Sequence, residues 1–182
     1  MPDHRVKIDD AIIPSLIEYP PIFNAAVPFI DRHLAEGRGS KLAIRTAAED
    51  WTYGDLAAHV SRAGNQLHAM GLTPGDRVLM VVRDCPHFIA LFFGAIKAGI
   101  VPVAVNTMLR AQDYSFLIGD CGGAALIYSA CFAGFIEPAL AESPHRRDHM
   151  LTMEEFFVQS LSQPDALDAA PATEMDDCFW LY

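Results

Sequence analysis

The sequence contains no hydrophobic run that could cross a bilayer. The longest, Phe88 to Ile96, stops at Lys97, far short of the roughly 20 apolar residues a spanning helix needs. The amino terminus, Met-Pro-Asp-His-Arg, lacks the apolar core of a secretory leader. Basic residues are scarce: 13 Lys and Arg stand against 23 Asp and Glu, a net charge of −10. With no basic stripe or patch, nucleic-acid binding is disfavoured. Cysteine is sparse as well. The four, at 85, 121, 131 and 178, form no Cys-x-x-Cys pair; they read as reduced thiols, with Cys85 and Cys131 expected to be buried beside apolar segments. These absences describe a soluble, cytoplasmic protein. The G-x-x-x-x-G-K-[ST] phosphate loop and the G-x-S-x-G elbow are missing too, and Gly37-Arg38-Gly39 lacks the third glycine of a dinucleotide fingerprint.

What is present is core. Of 182 residues, 52% are hydrophobic and 20% charged, and the mean hydropathy is +0.19. That suits one domain of ordinary size or part of a larger one. Charge is uneven: residues 1–141 hold 11 basic and 14 acidic side chains, whereas residues 142–182 hold 2 and 9.

The pattern divides the chain into four stretches. Residues 1–22 form an extended lead-in ending at Tyr19-Pro20-Pro21. Residues 23–141 form an α/β unit. It opens with a helix capped by Asn24 and two short strands at 42–46 and 51–53. Thr52 and Asp55 then make a capping box for a helix that Gly71 ends. Val78 to Val82 reads as a strand buried on both faces. A helix capped by Asp84 follows, apolar on nearly all sides, and with it strands at 100–105 and 124–128 and helices at 112–119 and 131–141. Pro102 suits the end or edge of its strand. Strand-helix alternation with short connections predicts a parallel sheet with right-handed crossovers. Residues 142–177 read as a loop-rich acidic connection with a short helix at 152–159. Residues 178–182 begin another buried strand, so the chain reads as a fragment.

No catalytic constellation is complete. His145 and His149 have helical ligand spacing but no third ligand nearby, so no metal site is assigned. His33, His59, His68 and His87 sit on helices without an acidic or nucleophilic partner at fixed spacing. Asp9-Asp10, Glu49-Asp50, Glu154-Glu155 and Asp176-Asp177 are sequence neighbours whose side chains point apart, and Gly122-Gly123 reads as a turn.

Three local words nevertheless resemble a known family in order and at its spacing. Trp51-Thr52-Tyr53-Gly54-Asp55-Leu56 resembles the first core motif of the adenylate-forming enzymes, which include acyl-CoA synthetases and luciferases. Leu72-Thr73-Pro74-Gly75-Asp76-Arg77-Val78 matches the turn into their next strand, and Gly94 to Val103, with Lys97-Ala98-Gly99 and Pro102, matches the second core motif. The resemblance runs over 22–141 and resumes at 176–182. Phe23 to Val27, Gly37-Arg38-Gly39 and Val105-Asn106-Thr107-Met108-Leu109 are most similar to benzoate- and hydroxybenzoate-CoA ligases. Between Arg147 and Thr152 relatives carry another strand and a longer connection, where this chain keeps only Asp148-His149-Met150-Leu151.

The resemblance implies the α/β fold of the large N-terminal domain of these enzymes, present in part. It implies a parent that converts an aromatic carboxylate, ATP and CoA, with Mg2+, to acyl-CoA, AMP and pyrophosphate through an acyl-adenylate. The strand at 178–182 would lead into the phosphate loop, so no catalytic or metal-binding residue is carried over. Arg110 is the one residue placed near entering CoA, where it could meet a phosphate. Without the loop, the 182 residues alone are expected to be inactive. Phe179 to Tyr182 and the helix at 88–96 are expected to lack cover, so that the chain self-associates or forms a homodimer. Two other readings fit the strand-helix pattern: a non-catalytic binding module, and a flavodoxin-like nucleotide-binding protein.

Overall fold

The computed structural model describes residues 3–141 and 149–182. Its centre is a parallel five-stranded sheet in the order β8-β7-β5-β6-β9, formed by β5 (Arg77–Val81), β6 (Val101–Ala104), β7 (Ala125–Tyr128), β8 (Met150–Thr152) and β9 (Trp180–Leu181). The apolar run at 78–82 lies in the middle because both faces of its strand are covered. Val78, Met80 and Val82 pack into one hydrophobic cluster and Leu79 and Val81 into another, as the period of two in a strand requires.

Chain direction decides which helices cover which face. The step from β5 to β6 runs one way across the sheet. The steps from β6 to β7 and on to β8 run the other way, and the return to β9 reverses again. Right-handed crossovers in opposite directions place their helices on opposite faces. Accordingly α3 (Pro86–Lys97) and α6 (Met153–Ser160) lie on one face together with α2 (Tyr53–Ala69). The other face carries α4 (Ala111–Asp120) and α5 (Ala133–Ala141). A flavodoxin-like sheet would add its fifth strand beyond the fourth. Here β9 joins the opposite edge, beside β6, and that reading is excluded.

Helix α3 is apolar all round because it is held between the sheet and α2, and none of its residues is exposed. Its expected lack of cover is therefore corrected. The two helices approach at glycines: a Cβ on Gly94 would lie 2.7 Å from the Val60 carbonyl, and one on Gly64 would lie 2.8 Å from the Gly94 carbonyl. Gly99, at φ 77°, closes α3 in the left-handed conformation that favours glycine. The Thr52–Asp55 capping box opens α2, and Thr152 with Glu155 opens α6 in the same way.

Several local expectations change. The lead-in is a hairpin of β1 (Lys7–Asp9) and β2 (Leu16–Glu18). Asn24 does cap the helical turn that follows it, its Oδ1 accepting from Ala26 N–H (3.0 Å) and its carbonyl from Val27 N–H (3.0 Å), but the turn is not a plain α-helix. A π-helical turn starts at Val27 and continues into α1 (Arg32–Ala35), while buried Asn24 donates from Nδ2 to the carbonyls of Ile96 (2.9 Å) and Ala170 (3.0 Å). The short strands are β3 (Leu42–Arg45) and β4 (Asp50–Thr52). Cys85, not Asp84, precedes α3, without a side-chain cap. Pro102 pairs with Val78 of β5, whereas the ladder to β9 begins one residue later at Val103, so its missing N–H costs no bond on that side. The strand that the 147–152 stretch was expected to lack is present as β8; the residues before it, and His145 of the His145–His149 pair, lie outside the described residues.

The acidic connection 161–177 has no regular structure but is pinned. Asn65 Nδ2 donates to the carbonyls of Pro164 (2.8 Å) and Ala166 (3.0 Å), Ala170 N–H to Lys97 O (2.8 Å), and Phe23 N–H to Ala172 O (2.8 Å). All four cysteines are free. Cys121 is buried and Cys85 half-buried, whereas Cys131 and Cys178 are exposed, which corrects the expectation for Cys131. Strand β9 is an edge strand, with Phe179, Leu181 and Tyr182 exposed. Among the described residues, no helix is long and apolar enough to cross a membrane.

Candidate functional site

In an open parallel sheet the connections that leave adjacent strands for opposite faces part at the carboxyl edge and open a crevice there. Strands β5 and β6 do this. After β5 the chain passes through Val82-Arg83-Asp84-Cys85 to α3, and after β6 through Val105–Arg110 to α4. The edge is held by short polar contacts. Ser129, buried after β7, donates its N–H to Val81 O (3.0 Å), and its Oγ accepts from Arg83 N–H (3.1 Å).

The loop after β6 is fixed in a similar way. Asn106 Oδ1 accepts from Met108 N–H (2.8 Å), and the Asn106 carbonyl accepts from the Tyr114 hydroxyl (3.0 Å). Tyr114 is fully buried, and burial raises its pKa above the ordinary tyrosine value. Asp113 Oδ2 accepts from Arg110 N–H (3.0 Å) at the start of α4. The Arg110 backbone is therefore fixed while its side chain stays exposed, and it forms no ion pair among the described residues. Arg83 is likewise exposed and unpaired among them. The two guanidiniums make this edge able to receive an anion. In contrast, buried Lys97 is spent on Asp31, with Nζ 2.7 Å from Oδ1.

Beside this edge lies β9. The Arg77 guanidinium stands 5.7 Å from the Trp180 ring centroid and donates to the carbonyls of Cys121 (3.0 Å), Gly75 (3.2 Å) and Gly122 (2.6 Å). Phe179 packs on Phe92 at 5.5 Å between centroids. The Tyr182 hydroxyl donates to Asp120 Oδ2 (2.7 Å); burial and this carboxylate push its pKa up to about 12.

Among the described residues, the remaining titratable groups assemble no acid–base machinery. His33 stacks on Tyr53 at 3.7 Å between ring centroids and accepts from Arg38 Nε. His68 Nε2 lies 3.2 Å from Ala98 O. His59 and His87 flank Trp51 (4.4 and 5.3 Å) and share Phe157 (5.3 and 3.8 Å), and burial lowers the pKa of both. Neighbouring carboxylates go to separate partners: Glu49 to Trp51 Nε1 and Asp50 to Arg45, Glu154 to Ala130 N–H and Glu155 to Thr152, Asp176 to Thr173 and Asp177 to Trp180 Nε1. Among the described residues, no group of three or more His, Cys, Asp or Glu is placed to hold a metal. Arg83 and Ser129 belong to no motif in the sequence, and Arg77 enters only as part of the word at 72–78. Arg83 is signalled only as the first polar residue after a buried strand; apart from Gly75, the partners of Arg77 are 44 to 103 positions away, beyond any local pattern.

The family words map onto this frame. The first spans the end of β4 and the capped start of α2; the second spans the end of α3, the turn at Gly99 and β6. A family model described as AMP-binding enzyme matches residues 31–181. The benzoate–CoA ligase of Thauera aromatica is 36% identical over 186 positions, covering 96% of this chain and 34% of that protein. The 4-hydroxybenzoate–CoA/benzoate–CoA ligase of Rhodopseudomonas palustris is 42% identical over 125 positions, covering 69% of this chain and 23% of that one. The chain thus spans about a third or less of the length of these relatives. Among solved structures, a benzoate CoA ligase from Burkholderia xenovorans LB400 superposes with a TM-score of 0.77 at 30% identity, over 88% of this chain and 32% of that one. An anthranilate CoA ligase in complex with anthranoyl-AMP gives a TM-score of 0.82 at 28% identity, over 88% and 31%. A family match across the whole sheet, with β9 included, is reason to state that the chain belongs to the AMP-binding enzymes.

Proposed function

We propose that this chain is the N-terminal part of an ATP-dependent aromatic carboxylate–CoA ligase of the benzoate type. The observation that carries the reading is the 36% identity to a benzoate–CoA ligase over 96% of the chain. The whole reaction joins the carboxylate to ATP, giving an acyl-adenylate and pyrophosphate. The CoA thiol then attacks the acyl carbon, forming the thioester and releasing AMP. Activation is needed because a carboxylate is a poor electrophile with a poor leaving group, and AMP is a good one.

In this reading residues 23–141 and β9 are scaffold: the sheet aligns the end of β9, from which the phosphate-binding loop continues. Residues 142–177 are the connection between them. Arg110, fixed at its backbone and exposed at its guanidinium, meets a phosphate of CoA. Mg2+ belongs to the reading as the ion that accompanies ATP. Among the described residues no three or more His, Cys, Asp or Glu are grouped to hold a metal, so no step is routed through the ion. The enzyme works in the cytoplasm, and the exposed isoleucines of the N-terminal hairpin support association with a second copy of the chain.

The test is made on a protein that carries this sequence together with the remaining two thirds of the ligase length. Benzoate and the hydroxybenzoates are expected to drive AMP release and thioester formation with ATP and CoA, while the 182 residues alone form no acyl-adenylate. Adenylation of fatty acids but of no aromatic acid would overturn the substrate class. Arg110→Ala is expected to raise the KM for CoA several-fold and leave benzoate-dependent pyrophosphate exchange unchanged. An equal loss in both would remove Arg110 from the CoA site.

A further inference from the structure

The N-terminal hairpin is anomalous as an isolated element. Strands β1 and β2 share three residue pairs, and every residue of both is exposed, with Ile8 61% and Leu16 and Ile17 each 47% accessible. Among the described residues, neither strand pairs with anything else. A bare two-stranded hairpin is marginally stable in water, and an exposed edge with apolar side chains is a template for another strand.

The sequence of β1 identifies the strand that fits. Lys7-Ile8-Asp9 is complementary to itself when reversed: cation, isoleucine, anion. Within the hairpin, Lys7 faces Glu18, Ile8 faces Ile17, and Asp9 faces uncharged Leu16. The Asp9 carboxylate thus has no cation across its own strand pair, and among the described residues it accepts only from Ala11 N–H (2.9 Å). We propose that the free edge of β1 pairs antiparallel with β1 of a second copy, about a two-fold axis through Ile8.

This register places Lys7 of each copy opposite Asp9 of the other. Each lysine then lies between two carboxylates, and each Asp9 gains a cation. On the opposite face the order Ile17–Ile8–Ile8–Ile17 runs across a four-stranded antiparallel sheet, because Ile8 and Ile17 are already register partners. Opposite charges and β-branched pairs directly across an antiparallel sheet are the contacts that stabilise it. The backbone N–H and C=O groups along the outer side of β1 are paired in the same step. The contact is isologous, so it closes at a dimer and does not propagate.

The proposal rests on the self-association proposed above and assigns it a surface. Sedimentation equilibrium of the chain tests it with a charge swap. Lys7→Glu sets like charges opposite Asp9 at two places in the dimer and is expected to weaken association at least about tenfold. Adding Asp9→Lys restores complementarity between copies, and the double variant is expected to return to within about threefold of wild type on the same grounds. The Lys7–Glu18 pairing within the hairpin is lost in both variants, so damage to the hairpin alone would leave the double variant as weak as the single one, and that result overturns the proposal. As a second measurement, Ile8→Cys, with Cys131 and Cys178 changed to Ser, is expected to give a disulfide dimer on oxidation, since residue 8 faces itself across the axis at bridging distance. A dimer indifferent to Lys7→Glu would place the association elsewhere on the molecule and overturn this surface alone. A chain monomeric at every concentration would overturn the association as well.

Discussion

Arg77 and Trp180 lie 103 positions apart in the chain, yet the guanidinium of one stands 5.7 Å from the ring centroid of the other. Arg77 opens β5, near the middle of the sheet, and its other donors hold Gly75, Cys121 and Gly122. Trp180 opens β9, which has only two residue pairs with β6. The cation therefore ties the last strand to the turns beneath the sheet, where strand pairing alone is too short to order it.

Replacing Arg77 with Ala is expected to release β9 before it weakens the rest. An exposed cation–π contact contributes about 0.5–1 kcal/mol and each charged hydrogen bond somewhat more, so a total loss of about 1–3 kcal/mol is expected. Hydrogen exchange should show the amides of Trp180 and Leu181 losing protection first, with the β5–β7 amides following only at the global level. Unchanged protection at 180–181 would remove Arg77 from this role.

Lys97 and Asp31 form the one ion pair among the described residues in which the cation is buried, its side chain 6% accessible. Asp31→Asn leaves that charge without a counterion and is expected to cost about 3 kcal/mol. Lys97→Met, which leaves only the more accessible carboxylate behind, should cost less. Urea unfolding of the two variants gives the order; a larger loss for Lys97→Met would contradict it.

Gly94→Ala forces a methyl into the space between α3 and α2, where it would meet Val60 O at 2.7 Å and Ala63 Cβ at 2.8 Å. Overpacking of this kind costs about 1–3 kcal/mol, which in a chain of this size lowers Tm by roughly 2–4 °C per kcal/mol. Gly134→Ala, on α5 with open space around it, should be neutral or stabilising. Calorimetry of the pair separates packing from helix propensity.

Acid should loosen the junction of β4, α2, α3 and α6. His59 and His87 sit against Trp51 and Phe157, with His59 Nδ1 and His87 Nε2 buried and unpartnered. Burial is the first cause lowering both pKa values. Arg62 and the mutual repulsion of the histidines add to it at His59, while Asp55 and Glu49 oppose it there and Glu49 and Glu154 oppose it at His87. A histidine with a depressed folded-state pKa contributes stability above its unfolded value of about 6.5, and this is lost as pH falls through the folded value. Stability is therefore expected to decline below about pH 6.5, and more gently in His59→Gln/His87→Gln. Identical slopes for wild type and the double variant would show that these histidines are not the sensors.

Much of this protein is determined locally and is legible in the residues. The continuous apolar run 78–82, the all-round apolar helix after it and the capping box of Thr52 and Asp55 each specify an element without reference to distant chain. Period, cap and turn chemistry act over three or four residues, and the family words at 51–56, 72–78 and 94–103 lie on these elements. Long-range placement was decided only by the tertiary structure. Asn24 reads as a helix cap in sequence and its Oδ1 does cap, but its amide nitrogen donates to carbonyls 72 and 146 positions away, which no local pattern shows. Lys7 to Glu18 reads as a lead-in because the pairing that makes it a hairpin joins residues on either side of Pro14 and a turn. The side of the sheet on which β9 joins follows from the direction of the crossovers, which no local pattern encodes. Arg110 is common to both levels: its position at the head of α4 could be read from the sequence, but its place at the carboxyl edge, where the connections leaving β5 and β6 part to opposite faces, exists only once those strands lie side by side.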